Sequence, residues 1–170
     1  SSLSHAEEVV LKDPLTGAGN RRQFDITMEK AIQDCEKKKT TLSLIMCDID
    51  HFKRVNDAFG HQVGDELIKM FARVIEGNIR ELDTVIRYGG EEFAIILPMT
   101  DQHAARSIAE RIRRQFEGKR LTIRETNQKI GQLTASFGVA EYRPGDDVDM
   151  LVQRADAKLY DAKSSGRNRV

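Results

Sequence analysis

Positive and negative charges cancel in this 170-residue sequence, with 27 Lys and Arg against 27 Asp and Glu. Without a basic excess there is no large electrostatic footprint for nucleic acid or an anionic membrane, although a local basic pocket stays open. No apolar run approaches the ~20 residues that span a bilayer, and no secretory signal pattern is present. The two cysteines, Cys35 and Cys47, are too few for a disulfide framework and lack the spacing of metal ligands. A reducing cytoplasm suits them. Internal repeats and low-complexity segments are missing, and so is the G-x-x-x-x-G-K-[ST] loop of P-loop enzymes.

What is present reads as one domain, since the length leaves little room for a second. Residues 1–12 place Leu3, Ala6, Val9 and Val10 loosely at helical spacing. They read either as the end of a linker helix from a missing upstream region or as a frayed terminus; the domain proper is expected over 13–170. A helix is predicted from Arg22 to Lys39, with Phe24, Met28, Ala31, Ile32 and Cys35 on one stripe. Thr41 to Ile49 is nearly continuously apolar and fits a strand buried on both faces. A loop and then a helix from about Gly64 to Asn78 are expected next, followed by strands at Thr84–Tyr88 and Phe93–Leu97 around a glycine-rich turn with positive φ. A helix over Asp101–Phe116, strands at Leu121–Thr126 and Leu133–Tyr142, and a helix over Asp147–Lys163 complete the pattern. Hairpins among the strands point to an α+β fold with a mainly antiparallel central sheet flanked by helices.

Two constellations carry chemistry. In Asp48-Ile49-Asp50-His51-Phe52-Lys53 a buried strand ends in carboxylates and runs into a lysine. Such carboxylates can hold Mg²⁺, a hard ion that shares oxygen ligands with substrate phosphates, and they can equally be polar residues leaving a strand. In Gly89-Gly90-Glu91-Glu92-Phe93 two glutamates sit at a hairpin tip, where Asn-Gly or Asp-Gly would be the usual choice. That arrangement suits a metal approached closely by substrate, or a solvated charged turn. Lys163 and Arg167, four residues apart, suit phosphates, or the C-terminus of a helix. Asp65 alone reads as a helix N-terminal carboxylate, and Arg80-x-x-Asp83 alone as surface charge.

Arg87-Tyr88-Gly89-Gly90-Glu91-Glu92-Phe93 resembles the signature of the GGDEF family in its GGEEF form. The likeness extends from Asp13-Pro14-Leu15-Thr16 through Asp48–Lys53, Asn56-Asp57, Phe59-Gly60-His61 and Gly64-Asp65 to Ala155-Asp156, Leu159-Tyr160, Ala162-Lys163 and Gly166-Arg167-Asn168. The resemblance implies a fold similar to polymerase palm and class III nucleotidyl cyclase domains. It also implies a nucleotidyltransferase, a diguanylate cyclase that joins two GTP into cyclic di-GMP and two pyrophosphates.

On this resemblance Asp48, the carbonyl of Ile49 and Glu91 hold the metal, Mg²⁺ or alternatively Mn²⁺, and Glu91 is also the family's general-base position. Lys163 and Arg167 bind the triphosphate; Phe52, Lys53, Gly89 and Gly90 line the GTP site. Asn56 and Asp65 match base-reading positions, and Leu15 packs near the base. A carboxylate at Asp65 accepts from guanine N1–H and the exocyclic amine. Adenine would leave it unpaired, and an unmet buried polar group costs ~1–3 kcal/mol. Arg80, Asp83 and Arg111 match an inhibitory site for cyclic di-GMP. Because the product needs two bonds made reciprocally, a homodimer is the expected working unit, with no nucleic acid or membrane partner and a cytoplasmic setting. The alternative is a non-catalytic sensor of cyclic di-GMP or GTP. A glycosidase reading of Glu91 and Glu92 fails, because adjacent turn residues cannot flank a sugar at ~5–9 Å.

Overall fold

Leu42–Ile49 forms strand β1, and every one of its side chains is buried. They alternate between two cores, as strand geometry requires. Ile45, Cys47 and Ile49 enter one core, while Leu42, Leu44 and Met46 enter the other. In the computed structural model, which describes residues 10–123 and 127–170, β1 is therefore central. It is flanked by β3 (Glu92–Pro98) and β6 (Ala135–Glu141), with β2 (Thr84–Arg87) outside β3. The order is β2-β3-β1-β6, all antiparallel. The α+β sheet expected from the pattern is the one found.

Helix α1 (Arg21–Lys38) and α5 (Val148–Ser164) cover one face. They bury Phe24, Met28 and Ile32 with Leu151, Ala155 and Leu159. On the other face lie α3 (His61–Glu76) and α4 (Gln102–Glu117). Phe71 of α3 stacks at its ring edges and faces on Phe93, Phe116 and Phe137, with centroids 5.4, 4.8 and 6.3 Å away. Aromatic pairs at these separations add to the area they bury. Asn20, Asp101 and Asp147 cap α1, α4 and α5 by accepting from the third residue of each helix.

Three expectations need correction. The segment after β1 is not a loop: Phe52–Phe59 is a helix, α2, whose Phe52, Val55 and Phe59 pack on the first core from one side. It is too short to show a periodicity by itself. Gly60, at φ 92°, separates it from α3, which begins at His61 and not at Gly64. The strand expected from Leu121 shrinks to β4 (Thr122–Ile123), paired with an unexpected β5 (Gln128–Lys129); Arg124, Glu125 and Thr126 lie outside the described residues. Of the stretch 1–12, read as a linker-helix end or a frayed terminus, residues 1–9 also lie outside them. Val10 and Leu11 are not helical, and Lys12 forms an isolated bridge with Gly19.

Gly138 of β6 lies under α5, where an added Cβ would meet Ala155 O at 2.1 Å and Leu159 N at 2.2 Å. These are backbone atoms that cannot swing away. Gly138→Ala is expected to destabilise the domain by about 1–3 kcal/mol, read as a lower urea midpoint. An unchanged midpoint would mean that α5 slides freely over the sheet.

Candidate active site

At the end of β1, Asp48 stands opposite Glu92 of β3 and Ser136 of β6. Packing on both sides leaves the residue only 7% exposed. Its Oδ2 pairs with the Lys163 ammonium, and its buried Oδ1 has no hydrogen-bond partner. Burial pushes the Asp48 carboxyl above the usual range, Lys163 draws it back, and Asp50 and Glu91 add repulsion. Glu91 lies beside the strand end, where its carbonyl accepts from Ile49 N–H at 3.4 Å. Glu92 is raised chiefly by burial and then by Asp156 and Asp48, and Asp156 is raised by burial against the pull of Lys163 and Arg21. Three carboxylates, Asp48, Glu92 and Asp156, thus share the field of Lys163.

That donor set fits a hard divalent cation. Asp48, Glu91 and the Ile49 carbonyl offer oxygens only, and the Oδ1 of Asp48, buried without a hydrogen-bond partner, is free to be one of the ligands. Among the described residues no group of three or more His, Cys, Asp or Glu could hold a metal unaided. An ion held by these oxygens would need further ligands from outside the chain, as Mg²⁺ commonly takes from phosphate and water.

The glycines of the turn serve differently from the expectation. Neither Gly89 nor Gly90 adopts positive φ. The turn is a four-residue loop between Arg87 and Glu92, closed by Tyr88 N–H and Gly89 N–H donating to Glu92 O at 2.8 and 3.1 Å. A Cβ on Gly90 would meet nothing within 4 Å. Glycine leaves the backbone at position 90 bare toward open space.

The loop-turned-helix α2 carries Asn56 against Gly64 of α3, so closely that a Cβ on Gly64 would lie 1.9 Å from Asn56 Oδ1. That oxygen is buried and without a partner. Asp65, next to Gly64, is exposed in the second turn of α3, one turn beyond the N-terminus where the dipole argument put it. It lines an open cleft of ≈ 740 Å³ with Gln62, Lys69 and Thr122. Phe52 and Leu15 are half-buried on the core, and Lys53 is exposed. Lys163 lies inside the last turn of α5 and Arg167 beyond it, at φ 65°.

Arg80 and Asp83 are brought together more tightly than the spacing alone requires. Asp83 accepts from Arg80 N, Nε and Nη2 at 2.8, 3.1 and 2.8 Å, and Arg80 Nη2 also reaches Pro98 O and Thr100 Oγ1. Asp83 is buried and its carboxylate is occupied, which leaves the half-exposed guanidinium of Arg80 as the contact surface. Arg111 donates to Asn78 Oδ1 at 2.7 Å and Asn78 O at 3.0 Å. It braces the loop that carries Arg80.

A profile of the diguanylate cyclase GGDEF domain family matches residues 10–169. The chain belongs to the GGDEF family. Diguanylate cyclase VdcA of Vibrio cholerae is 44% identical over 168 residues, covering 99% of this chain and 48% of VdcA. The response regulator PleD of Caulobacter vibrioides is 39% identical over 171 residues, covering all of this chain and 37% of PleD. The GGDEF domain thus spans half or less of these curated relatives. Among solved structures, the GGDEF domain of DgcB from Caulobacter crescentus, in complex with c-di-GMP, superposes with a TM-score of 0.93 at 40% identity, covering 96% of this chain and 93% of that one.

Sequence reasoning missed one bond network in the GGDEF domain. Asp13 Oδ2 accepts from Thr16 N and Oγ1 at 2.9 and 2.8 Å, and Arg87 Nη1 reaches both Asp13 oxygens. Arg87 Nε donates to Gly90 O at 3.0 Å. One guanidinium therefore ties the turn after residue 12 to the glutamate loop. An Asp with Thr three residues on is a side-chain-to-backbone turn pattern, and that signal was legible; its partner Arg87 was not. Asp156, near Glu92 and Lys163, left no comparable trace.

Because Asp48 is raised in the folded state, the charged carboxylate opposes folding. Its favourable contribution holds below the unfolded value and is lost as pH rises through the folded one. At neutral pH and with chelator present, Asp48→Asn is expected to raise unfolding stability by on the order of 1 kcal/mol, and to lose that advantage in acid. Denaturant titrations at two pH values check this. A destabilised variant would show that the Lys163 pair outweighs burial.

Proposed function

We propose that this GGDEF domain is a diguanylate cyclase, condensing two GTP into cyclic di-GMP with release of two pyrophosphates. The observation that carries the reading concerns buried side-chain oxygens without hydrogen-bond partners. Among the described residues these are Asp48 Oδ1 and Asn56 Oδ1, one at the expected metal position and one at the expected base-reading position. Buried polar atoms are paired in the great majority of cases, so two orphans at these points argue for a ligand that completes both. The likeness to VdcA and to DgcB with c-di-GMP supports the same reading.

Asp48, the Ile49 carbonyl and Glu91 would hold Mg²⁺, with Mn²⁺ as an alternative. Bound there, it would neutralise triphosphate charge and polarise the α-phosphate. The chain's own groups supply the rest. Asn56 and Asp65 orient the guanine, and the bare turn at Gly89 and Gly90 admits the phosphates. Lys163 and Arg167 bind the β- and γ-phosphates that depart as pyrophosphate, and Glu91 takes the proton of the attacking 3′-hydroxyl. Each 3′-oxygen forms a bond to the α-phosphorus of the other GTP as the bond to pyrophosphate breaks. One domain holds one nucleotide, so two domains facing each other make both bonds equivalent. Arg80, braced by Asp83, offers a guanidinium for the phosphate or guanine face of the product, giving feedback restraint. The free cysteines and the absence, among the described residues, of a helix long and apolar enough to cross a membrane accord with a cytoplasmic setting.

Incubation of the purified domain with GTP and Mg²⁺, resolved by chromatography, is expected to yield cyclic di-GMP, with a rate per protomer that rises with protein concentration. Glu91→Gln should abolish it. No product at any concentration, or in a dimerising fusion, would move the reading to a non-catalytic sensor. Arg80→Ala should leave the initial rate intact and relieve the slowing as product accumulates. Unaltered inhibition would sink the feedback role of that site.

A further inference from the structure

Asp50 follows Asp48 by two residues and is as buried, 8% against 7% exposed, yet its oxygens are already engaged. Oδ1 accepts from Ser136 Oγ at 2.7 Å, and Oδ2 accepts from Thr134 Oγ1 at 2.8 Å and from Asn168 N–H at 3.0 Å. Of about four lone-pair directions on a carboxylate, three are taken. Asp48 and Asp50 look alike in the sequence, but one presents a vacant oxygen and the other does not.

The Asn168 N–H belongs to the turn that closes α5. Arg167 N–H donates to Ala162 O at 2.9 Å and Gly166 N–H to Lys163 O at 3.5 Å, the paired bonds of a Schellman motif. Gly166 takes φ 124°, as that motif prefers. Arg167 at 65° and Asn168 at 49° then continue in the left-handed region, where two successive residues with side chains are strained. Such strain persists only when the surroundings over-determine it. The main chain is held by Asp50 at Asn168 N–H and by Phe137 N–H donating to Arg169 O at 2.9 Å. The Asn168 side chain is held from α4, by Arg113 at 3.0 Å and by Glu117.

We propose that Asp50 is a positioning residue for Arg167, holding the left-handed turn that aims its guanidinium at the triphosphate, and is not a ligand of the metal ion. The proposal rests on the reading of Arg167 as a triphosphate-binding residue. A charge-assisted bond from a buried carboxylate to one backbone N–H is the strong kind, and it is made at the residue next to Arg167. Glu117 and Arg113 serve the same turn from its side-chain end.

The test is equilibrium binding with Mg²⁺, using 3′-deoxy-GTP, which lacks the attacking hydroxyl, and GMP, which lacks the β- and γ-phosphates. Asp50→Asn is expected to weaken 3′-deoxy-GTP roughly tenfold, the loss of one charged hydrogen bond, and to leave GMP unchanged. Arg167→Ala should do the same. The double variant should be no weaker than Arg167→Ala, because both changes remove one contact. Binding of Mn²⁺ alone should fall in Asp48→Asn and stay intact in Asp50→Asn. Losses that add, an equal loss for GMP, or lost Mn²⁺ binding in Asp50→Asn would each overturn the proposal while leaving the role of Arg167 standing. An Arg167→Ala variant that binds 3′-deoxy-GTP normally would overturn the triphosphate reading and this proposal with it. If Asp50→Asn does not fold, Glu117→Gln carries the comparison, with a smaller loss in the same direction.

Discussion

Burial of β1 on both faces is the constraint from which the site follows. A strand with side chains locked alternately into two cores has no freedom to tilt or slide, and a one-residue slip would exchange its faces. Its last residues therefore leave the packed region at one place and in one direction. Asp48 inherits that rigidity. It also inherits the low-polarity surroundings, which is why its carboxyl is raised and why a single lysine pairs with it. Three carboxylates crowded around one lysine cost the fold stability through desolvation and mutual repulsion.

Loops at both ends of the sheet are tied by arginines. Arg87 joins the Asp13 turn to the glutamate loop, Arg111 braces Asn78, and Arg154 holds Asp146 at the entry to α5 with distances of 2.7 and 2.8 Å. Isolated ion pairs at a surface contribute only ~0–1 kcal/mol, so these bonds matter chiefly for direction. A planar guanidinium with several donors fixes a loop in orientation as well as distance, and each of the three touches a backbone carbonyl besides its side-chain partner.

The sheet, its helices and the strand-end carboxylates were legible because long periodic segments announce themselves. Phe24, Met28 and Ile32 mark α1, and Leu42 to Ile49 could only be a doubly buried strand. What escaped was short or mixed. Phe52–Phe59 spans two turns and reads as polar, so its helix emerges only when Phe52, Val55 and Phe59 find the core. The turn glycines take no positive φ, so the conformation expected of them is not the one found. Asp50 was legible as a carboxylate but not as a saturated one. Its partners Thr134, Ser136 and Asn168 lie more than eighty residues away along the chain, and nothing local encodes that meeting.

The margins of the sheet show one more thing. Gly19 bridges to Ile86 in parallel fashion, with Gly19 N–H donating to Val85 O and Arg87 N–H to Gly19 O, which covers the outer side of β2. At the far margin the Arg169 carbonyl takes the Phe137 N–H of β6. Open strand edges invite pairing with foreign strands, and here both are shielded by segments adjoining the domain's own limits. A unit that closes its own seams can be joined to many different neighbours without sticking to them. Margins sealed in this way let one domain adjoin differing neighbours, as in relatives of which this chain matches only part.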